Sequence, residues 1–301
     1  MLKKMTQILS VTIRACLEGV LFSKKPGSFG RGPIMKNRSI SRYFQVLLAC
    51  FVLLTESAVW AGAVLDRINQ DKALRVCIWP DYYGVTFRNP HTRALQGIDI
   101  ELSREFAKDL GVNLIYVDSS FTSLIGDLTS ERCDIAMFAV AMLPQRTAHL
   151  AFSDPYLRSD IYGVTTKSQR MIREWEDIDR PGVMVGVQAG TFMEPVMRER
   201  LKQAKLVVIE PPVLRERELQ AGRIDVFMTD YPYSRRLLDN LDWVRIVAPS
   251  SPYYVLPYAY AIKPGDLQWL GRVNDFVREI KKDGRLEEAA KKFSLTPIVV
   301  R

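Results

Sequence analysis

From about residue 72 onward, short runs rich in β-branched and aromatic residues alternate with segments whose apolar positions recur at helical spacing. That alternation is the pattern of an α/β fold. It predicts strands at Leu74–Trp79, Leu114–Val117, Cys133–Phe138, Met184–Val187, Leu206–Ile209, Ile224–Met228 and Tyr258–Ile262. It predicts helices at Asp99–Leu110, Thr122–Ser130, Phe192–Lys202, Leu214–Gln220, Tyr231–Leu238, Trp269–Lys282 and Leu286–Phe293. After about Ile161 the pattern restarts, and near Tyr258 it returns to a strand and two terminal helices. Such an interruption predicts one lobe inserted in another. No internal repeat or low-complexity tract is present.

Ahead of this region, Lys36, Arg38 and Arg42 precede the apolar run Phe44–Leu54, which is followed by Ala58-Val-Trp-Ala61. This is the layout of a secretory signal peptide with cleavage after Ala61 or Ala63, so the expected location is the periplasm. The apolar run falls short of the roughly 18 to 20 residues that span a bilayer. Met35 opens a signal of ordinary proportions, so residues 1–34 read as the product of an upstream start codon. A lipobox at Leu47–Cys50 is the weaker alternative, because Phe51–Leu54 would continue the apolar core past the cysteine.

The net charge of +8 suggests an anionic partner until its distribution is considered. Residues 1–62 hold nine Lys or Arg against Glu18 and Glu56, which leaves 33 basic and 32 acidic residues in 63–301. The folded part is nearly neutral, and nucleic acid is not an expected partner. With 48% hydrophobic and 25% charged residues, the chain supports two compact domains of roughly 100 to 150 residues each. Cys77 and Cys133 are the cysteines beyond the leader, an even pair in an oxidising compartment. Each lies on a predicted strand, so a disulfide is expected, with two buried free thiols as the alternative. The cysteine spacing and His91 and His149 give no zinc pattern.

The most informative stretch is Phe138–Ser159, FAVAMLPQRTAHLAFSDPYLRS. It sets Arg146 at the exit of an apolar strand, just ahead of a Phe-Ser-Asp-Pro-Tyr turn, and a guanidinium fork matches a carboxylate bidentately. This layout resembles the ligand-arginine segment of the bacterial extracellular solute-binding proteins, family 3, the amino-acid receptors of ABC importers. Gly97-Ile-Asp-Ile-Glu-Leu102 with Asp109-Leu110-Gly111 resembles that family's first-helix signature, with Asp99 and Glu101 placed to favour the helix N-terminus. The resemblance implies the two-lobed type II periplasmic-binding-protein fold. Lobe one would be residues 63–161 with 258–301, lobe two 162–257, and the ligand would lie in the cleft between them.

The same resemblance supplies site residues. Arg146 would grip a ligand carboxylate. Tyr82 and Tyr83 stand where the family lines the cleft with aromatics, and Phe121 where it stacks a ring on the ligand. Val185-Gly-Val-Gln-Ala-Gly-Thr191 resembles a strand and turn whose Gly190, Thr191 and following amides share the carboxylate. Asp230, ending Ile224-Asp-Val-Phe-Met-Thr-Asp230, matches the aspartate that binds an α-ammonium. One departure stands out: Ala141 and Leu143 occupy positions where the family carries small hydroxyl residues. With Phe138 and Met142 nearby, this implies a drier cleft and a ligand other than a standard amino acid.

The implied function is a periplasmic receptor for an ABC importer, a monomer that closes on its cargo and docks on an inner-membrane permease, with no cofactor, metal or catalytic group. Two alternatives come from narrower resemblances. Asp179-Arg-Pro-Gly-Val183, Asp225–Asp230 and Cys133-Asp-Ile-Ala136 also resemble periplasmic cyclohexadienyl dehydratase, in which Glu194 would be the general acid. The Arg-Val-Cys opening and the Cys-Asp strand resemble binding proteins associated with quinoprotein dehydrogenases. Lys281, Lys282, Arg285, Lys291 and Lys292 read as a solvated face.

Overall fold

In a computed structural model, residues 62–211 and 213–301 are described; the predicted signal segment lies outside them. Helix α1 (Ala63–Asp71) leads into β1 (Ala73–Ile78), a short hairpin of β2 (Phe87–Arg88) and β3 (Leu95–Gln96), and α2 (Ile98–Leu110). Then follow β4 (Asn113–Asp118), α3 (Leu124–Thr129), β5 (Ile135–Ala141), the single turn α4 (Pro144–Thr147), β6 (Ala151–Phe152) and β7 (Leu157–Ser159). The second part runs β8 (Tyr162–Thr166), β9 (Met184–Gln188), α5 (Met193–Arg200), β10 (Lys205–Ile209), α6 (Arg215–Gln220), β11 (Val226–Thr229), α7 (Tyr231–Asn240) and β12 (Val244–Val247). The chain ends with β13 (Leu256–Ile262), α8 (Leu267–Asp283) and α9 (Arg285–Lys292).

Two sheets result. The first has the order β4-β1-β5-β13-β6, with β7 also on β13; the second has the order β10-β9-β11-β8-β12. Strands β4, β1 and β5 run parallel, as do β10, β9 and β11, while β13 and β8 join their sheets antiparallel. Parallel strands are covered on both faces, which accounts for β5: every residue of Ile-Ala-Met-Phe-Ala-Val-Ala is buried. On one face Phe106 of α2 stacks on Phe276 of α8 at 4.4 Å between ring centres. The chain therefore leaves the first sheet after β7 and re-enters it at β13, so the second lobe is an insertion in the first.

The two connections between the sheets are tied together. The Asp160 carboxylate, just after β7, accepts hydrogen bonds from the backbone N–H groups of Tyr253 and Tyr254, both at 2.8 Å, just before β13. The predicted disulfide forms: Cys77 on β1 is joined to Cys133, with their Cα atoms 5.6 Å apart. Parallel pairing of Cys77 with Ala136 brings the two strands into reach.

Asp99 was expected to serve the α2 dipole, and the structure gives it a larger task. It is fully buried, and its carboxylate accepts from the Ala139 N–H at 2.9 Å, the Tyr156 hydroxyl at 2.5 Å and the Tyr260 hydroxyl at 3.2 Å. Burial pushes its pKa up to about 7, against the pull of those three donors. Ala139 has a φ of 49°, an unusual conformation for a residue with a Cβ. The β5–β13 register shifts opposite it, between Ala259 and Ala261. Asp99 thus pins an irregularity in the central strand that leads to Arg146.

Strands β8 and β12 and helix α1 go beyond the predicted elements. Strand β8, Tyr-Gly-Val-Thr-Thr, has no apolar alternation, and its Gly163 sits where an added Cβ would meet Ile178 at 3.0 Å and Val226 at 3.2 Å. Close sheet packing there replaces the side-chain signal. The C-terminal cations are likewise only partly a solvated face: Lys281 donates to the Pro155 carbonyl at 2.6 Å, and Arg285 reaches Asp109 at 2.8 Å.

Candidate functional site

The C-terminal ends of β1, β5, β9 and β11 converge where the two sheets face each other, the usual location of ligand sites in such folds. The segment after β1 supplies Trp79 and Tyr82, the end of β5 Ala139 and Ala141, and the loop before α3 Phe121. From the other lobe, the β9 turn supplies Thr191 and the end of β11 supplies Thr229 and Asp230. Tyr258 at the start of β13 completes the wall. All nine line one cavity. Its volume is about 20 Å³, room for about one water molecule. An amino acid is far larger than this space.

Asp230 lies at the centre of the cleft and is 3% exposed. The Tyr82 hydroxyl donates to it from lobe one, the Tyr258 hydroxyl donates at 2.8 Å, and the Tyr233 N–H at 3.2 Å caps α7 with the same carboxylate. Burial raises its pKa, opposed by these donors and by the charge of Arg215.

Arg146 lies in α4, a turn that proline opens. The guanidinium is almost wholly buried; it donates to the Ala141 carbonyl at 3.1 Å and, across the cleft, to the Gly190 carbonyl at 2.9 Å. It also lies 4.9 Å from the Phe121 ring centre. Desolvation lowers its pKa to about 10. Among the described residues no carboxylate comes within ion-pair distance of it.

The structure distributes the other predicted residues unevenly. Gly190 has a φ of 74°, and a Cβ there would stand 2.6 Å from Thr122 Cγ2 and 3.2 Å from the Phe121 carbonyl carbon. Glycine is what lets the two lobes touch. Thr191 faces the cavity, but its hydroxyl donates to the Gln188 carbonyl at 2.7 Å and its N–H to the same oxygen at 3.3 Å. Those groups hold the turn, so they would have to be released to reach a carboxylate. Tyr83 is turned away from the cavity: its ring packs edge-on to Phe87 at 5.4 Å, with the Arg236 guanidinium of lobe two 5.5 Å away. Phe138 is buried behind Phe121.

Glu194 lies outside the cavity lining. It accepts from the Gly190 N–H at 3.1 Å and pairs with Arg198 at 3.0 Å, one turn further along α5. Asp179 accepts from the N–H groups of Lys202, Gln203 and Ala204, which anchors the turn between α5 and β10. Both acids hold the local backbone of lobe two.

Residues 74–296 match the model of the bacterial extracellular solute-binding proteins, family 3. The chain belongs to that family. Among its relatives, the cyclohexadienyl dehydratase of Pseudomonas aeruginosa is 31% identical over 237 residues, which covers 76% of this chain and 88% of that protein. The L-cystine-binding protein TcyJ of Escherichia coli is 25% identical, over 76% and 85% of the two chains. Among solved structures, the ancestral amino acid-binding protein AncCDT-1, described as a precursor of cyclohexadienyl dehydratase, superposes with a TM-score of 0.70 at 30% identity, over 76% and 98%. An L-arginine-bound substrate-binding protein of Streptococcus pneumoniae shares the fold at a TM-score of 0.69 and 22% identity. These neighbours are type II periplasmic binding proteins, and the inserted two-lobed architecture is theirs.

Within this family frame, sequence reasoning overlooked Arg215, Thr229, Tyr258 and Trp79. Arg215 sits in the charged run Arg-Glu-Arg-Glu at the start of α6, a pattern that reads as a solvated face, yet the side chain is buried at 3% exposure. Tyr258 was assigned only to a strand; its position at a lobe crossing was the available signal.

Proposed function

We propose that this member of family 3 is the periplasmic receptor of an ABC importer and binds an amino acid or a related small carboxylate by closure of its two lobes. Arg146 supports this reading most strongly. A guanidinium removed from water with only two backbone carbonyls as partners is poorly compensated, and a ligand carboxylate supplies both the missing charge and a bidentate acceptor. Asp230 takes an ammonium, or donates as a neutral acid to a ligand oxygen. Tyr82, Phe121 and Tyr258 form the wall around the ligand, with Ala141 and Gly190 giving it room. Export by the signal peptide brings the protein to its permease partner.

Thermal unfolding of the purified protein against amino acids, opines, keto acids and prephenate tests this. A ligand at 100 times its dissociation constant adds about 2.7 kcal/mol. The reading requires at least one carboxylate to give that shift and Arg146→Ala to abolish it.

A dehydratase of the cyclohexadienyl type is the second reading, and the 31% identity to such an enzyme favours it. Opposing it, Glu194 is held by Gly190 and Arg198 rather than aimed at the cavity. Consumption of prephenate by the native protein, lost in Glu194→Gln, would establish that reading.

A further inference from the structure

Arg215 is a second buried guanidinium on the cleft, on the lobe-two side. It lines the same cavity as Asp230 and is 3% exposed. It makes one hydrogen bond, from Nη1 to the Met228 carbonyl at 3.2 Å. Its guanidinium carbon lies over the Tyr233 ring, 4.3 Å from the ring centre, and 5.2 Å from that of Phe227. Among the described residues it has no ion-pair partner. The same cavity is lined by Thr229, 1% exposed, whose hydroxyl has no hydrogen-bond partner. Buried polar groups are nearly always paired, and here a cation with one hydrogen bond and a hydroxyl with none line the same cavity.

Neighbouring carboxylates give the cation no direct partner, although its charge reaches Asp230. Glu216 follows Arg215 in sequence but turns away to accept from the Tyr233 hydroxyl at 2.6 Å. Asp230 is taken up by two tyrosine hydroxyls and a backbone N–H. The cleft and its rim thus hold two buried guanidinium groups against one carboxylate, an excess of positive charge at a site removed from water.

We infer that Arg215 and Thr229 form a second anion subsite, so that the preferred ligand carries two carboxylates: one held by Arg146, the other by Arg215 with the Thr229 hydroxyl. This rests on the small-carboxylate reading above and narrows it. The contact with Tyr233 covers one side of the guanidinium, whose fork of donors matches a planar carboxylate. The subsite selects against neutral and cationic side chains, because those leave Arg215 unpaired in the closed cleft.

Calorimetric titration of the full chain with isosteric pairs tests the inference: L-glutamate against L-glutamine, and glutarate against its half-amide, with prephenate as a larger diacid. The diacid of each pair should bind about ten-fold tighter or more than its amide, the difference expected of a charged hydrogen bond. Comparing glutamate with glutarate shows whether the α-ammonium is also required. Arg215→Gln should erase the preference, Arg215→Lys should keep part of it, and Thr229→Val should reduce it. Circular dichroism and melting of each variant confirm that it is folded.

Equal affinity for acid and amide in the native protein, or a preference that survives both Arg215→Gln and Thr229→Val, overturns the inference. If binding of both members of a pair is equal but lost in Arg146→Ala, the carboxylate reading stands and only the second subsite fails. If no carboxylate binds, both fail.

Discussion

Tyr82, on the segment after β1, donates its hydroxyl to the Asp230 carboxylate at the end of β11, so each lobe supplies one half of a hydrogen bond across the cleft. A bond to a buried carboxylate is worth about 1.5 to 3 kcal/mol. Tyr82→Phe should therefore move the unliganded protein toward a more open form and weaken ligand binding about ten-fold or more. X-ray scattering reads the opening as a larger radius of gyration. Unchanged scattering and unchanged affinity would show that this bond does not bias closure.

Gly190 is where the lobes come into contact, and there is no space for a Cβ against Thr122. Gly190→Ala should hold the cleft ajar as well as straining a backbone at φ 74° by about 1 kcal/mol. Affinity should fall more than stability does. A variant that binds normally would mean that the closed contact at Thr122 is dispensable.

Asp99 makes stability depend on pH in a defined direction. Its folded pKa of about 7 lies above the ordinary value of 3.8. Between those two values the unfolded chain has lost the proton while the folded protein keeps it, so stability contributed by this group falls as pH rises. The native protein should lose on the order of a few kcal/mol across that window relative to Asp99→Asn. Urea unfolding of both proteins at pH 4.5 and 7.5, taken as a difference of differences, isolates the group. Parallel profiles would refute the assignment.

The Cys77–Cys133 bond closes a loop with a sequence separation of 56 residues. The chain-entropy relation gives about 4 kcal/mol for a loop of that length. A Cys77→Ala, Cys133→Ala protein should unfold at correspondingly lower urea, and adding a reductant to it should have no further effect, while the same reductant lowers the native midpoint. A double variant as stable as the oxidised protein would mean that the bond contributes nothing to folding.

Much of this was legible in the chain. Parallel strands covered on both faces leave unbroken apolar runs, so β1, β5, β9 and β11 were each found to within a few residues. Arg146 and Asp230 were legible through the resemblance of their segments to the family's ligand-binding positions, and both lie at the cleft. Arg215 was hidden by its context: in Arg-Glu-Arg-Glu the spacing suggests four solvated charges, and only the packing of α6 against Tyr233 and Phe227 shows which of them turns inward. Strand β8 was missed because its glycine and threonines are chosen for close sheet packing rather than for apolar content. The direction in which adjacent aromatics point, Tyr82 inward and Tyr83 outward, is a property of the turn and not of composition.

Strand β13 lies between β5 and β6, in the interior of the first sheet, although it is made from the last fifth of the chain. Synthesis delivers a polypeptide N-terminus first, so when residues 63–161 emerge they lack the strand that joins their two halves. The inserted lobe, contiguous from β8 to β12, has every strand of its sheet before that strand arrives. The Asp160 tie to Tyr253 and Tyr254 closes only when the final segment arrives. A chain that terminates before Leu256 would carry a finished second lobe attached to an open-edged sheet. Such a product exposes the strand edges that aggregate, which gives the cell a physical reason to degrade incomplete copies.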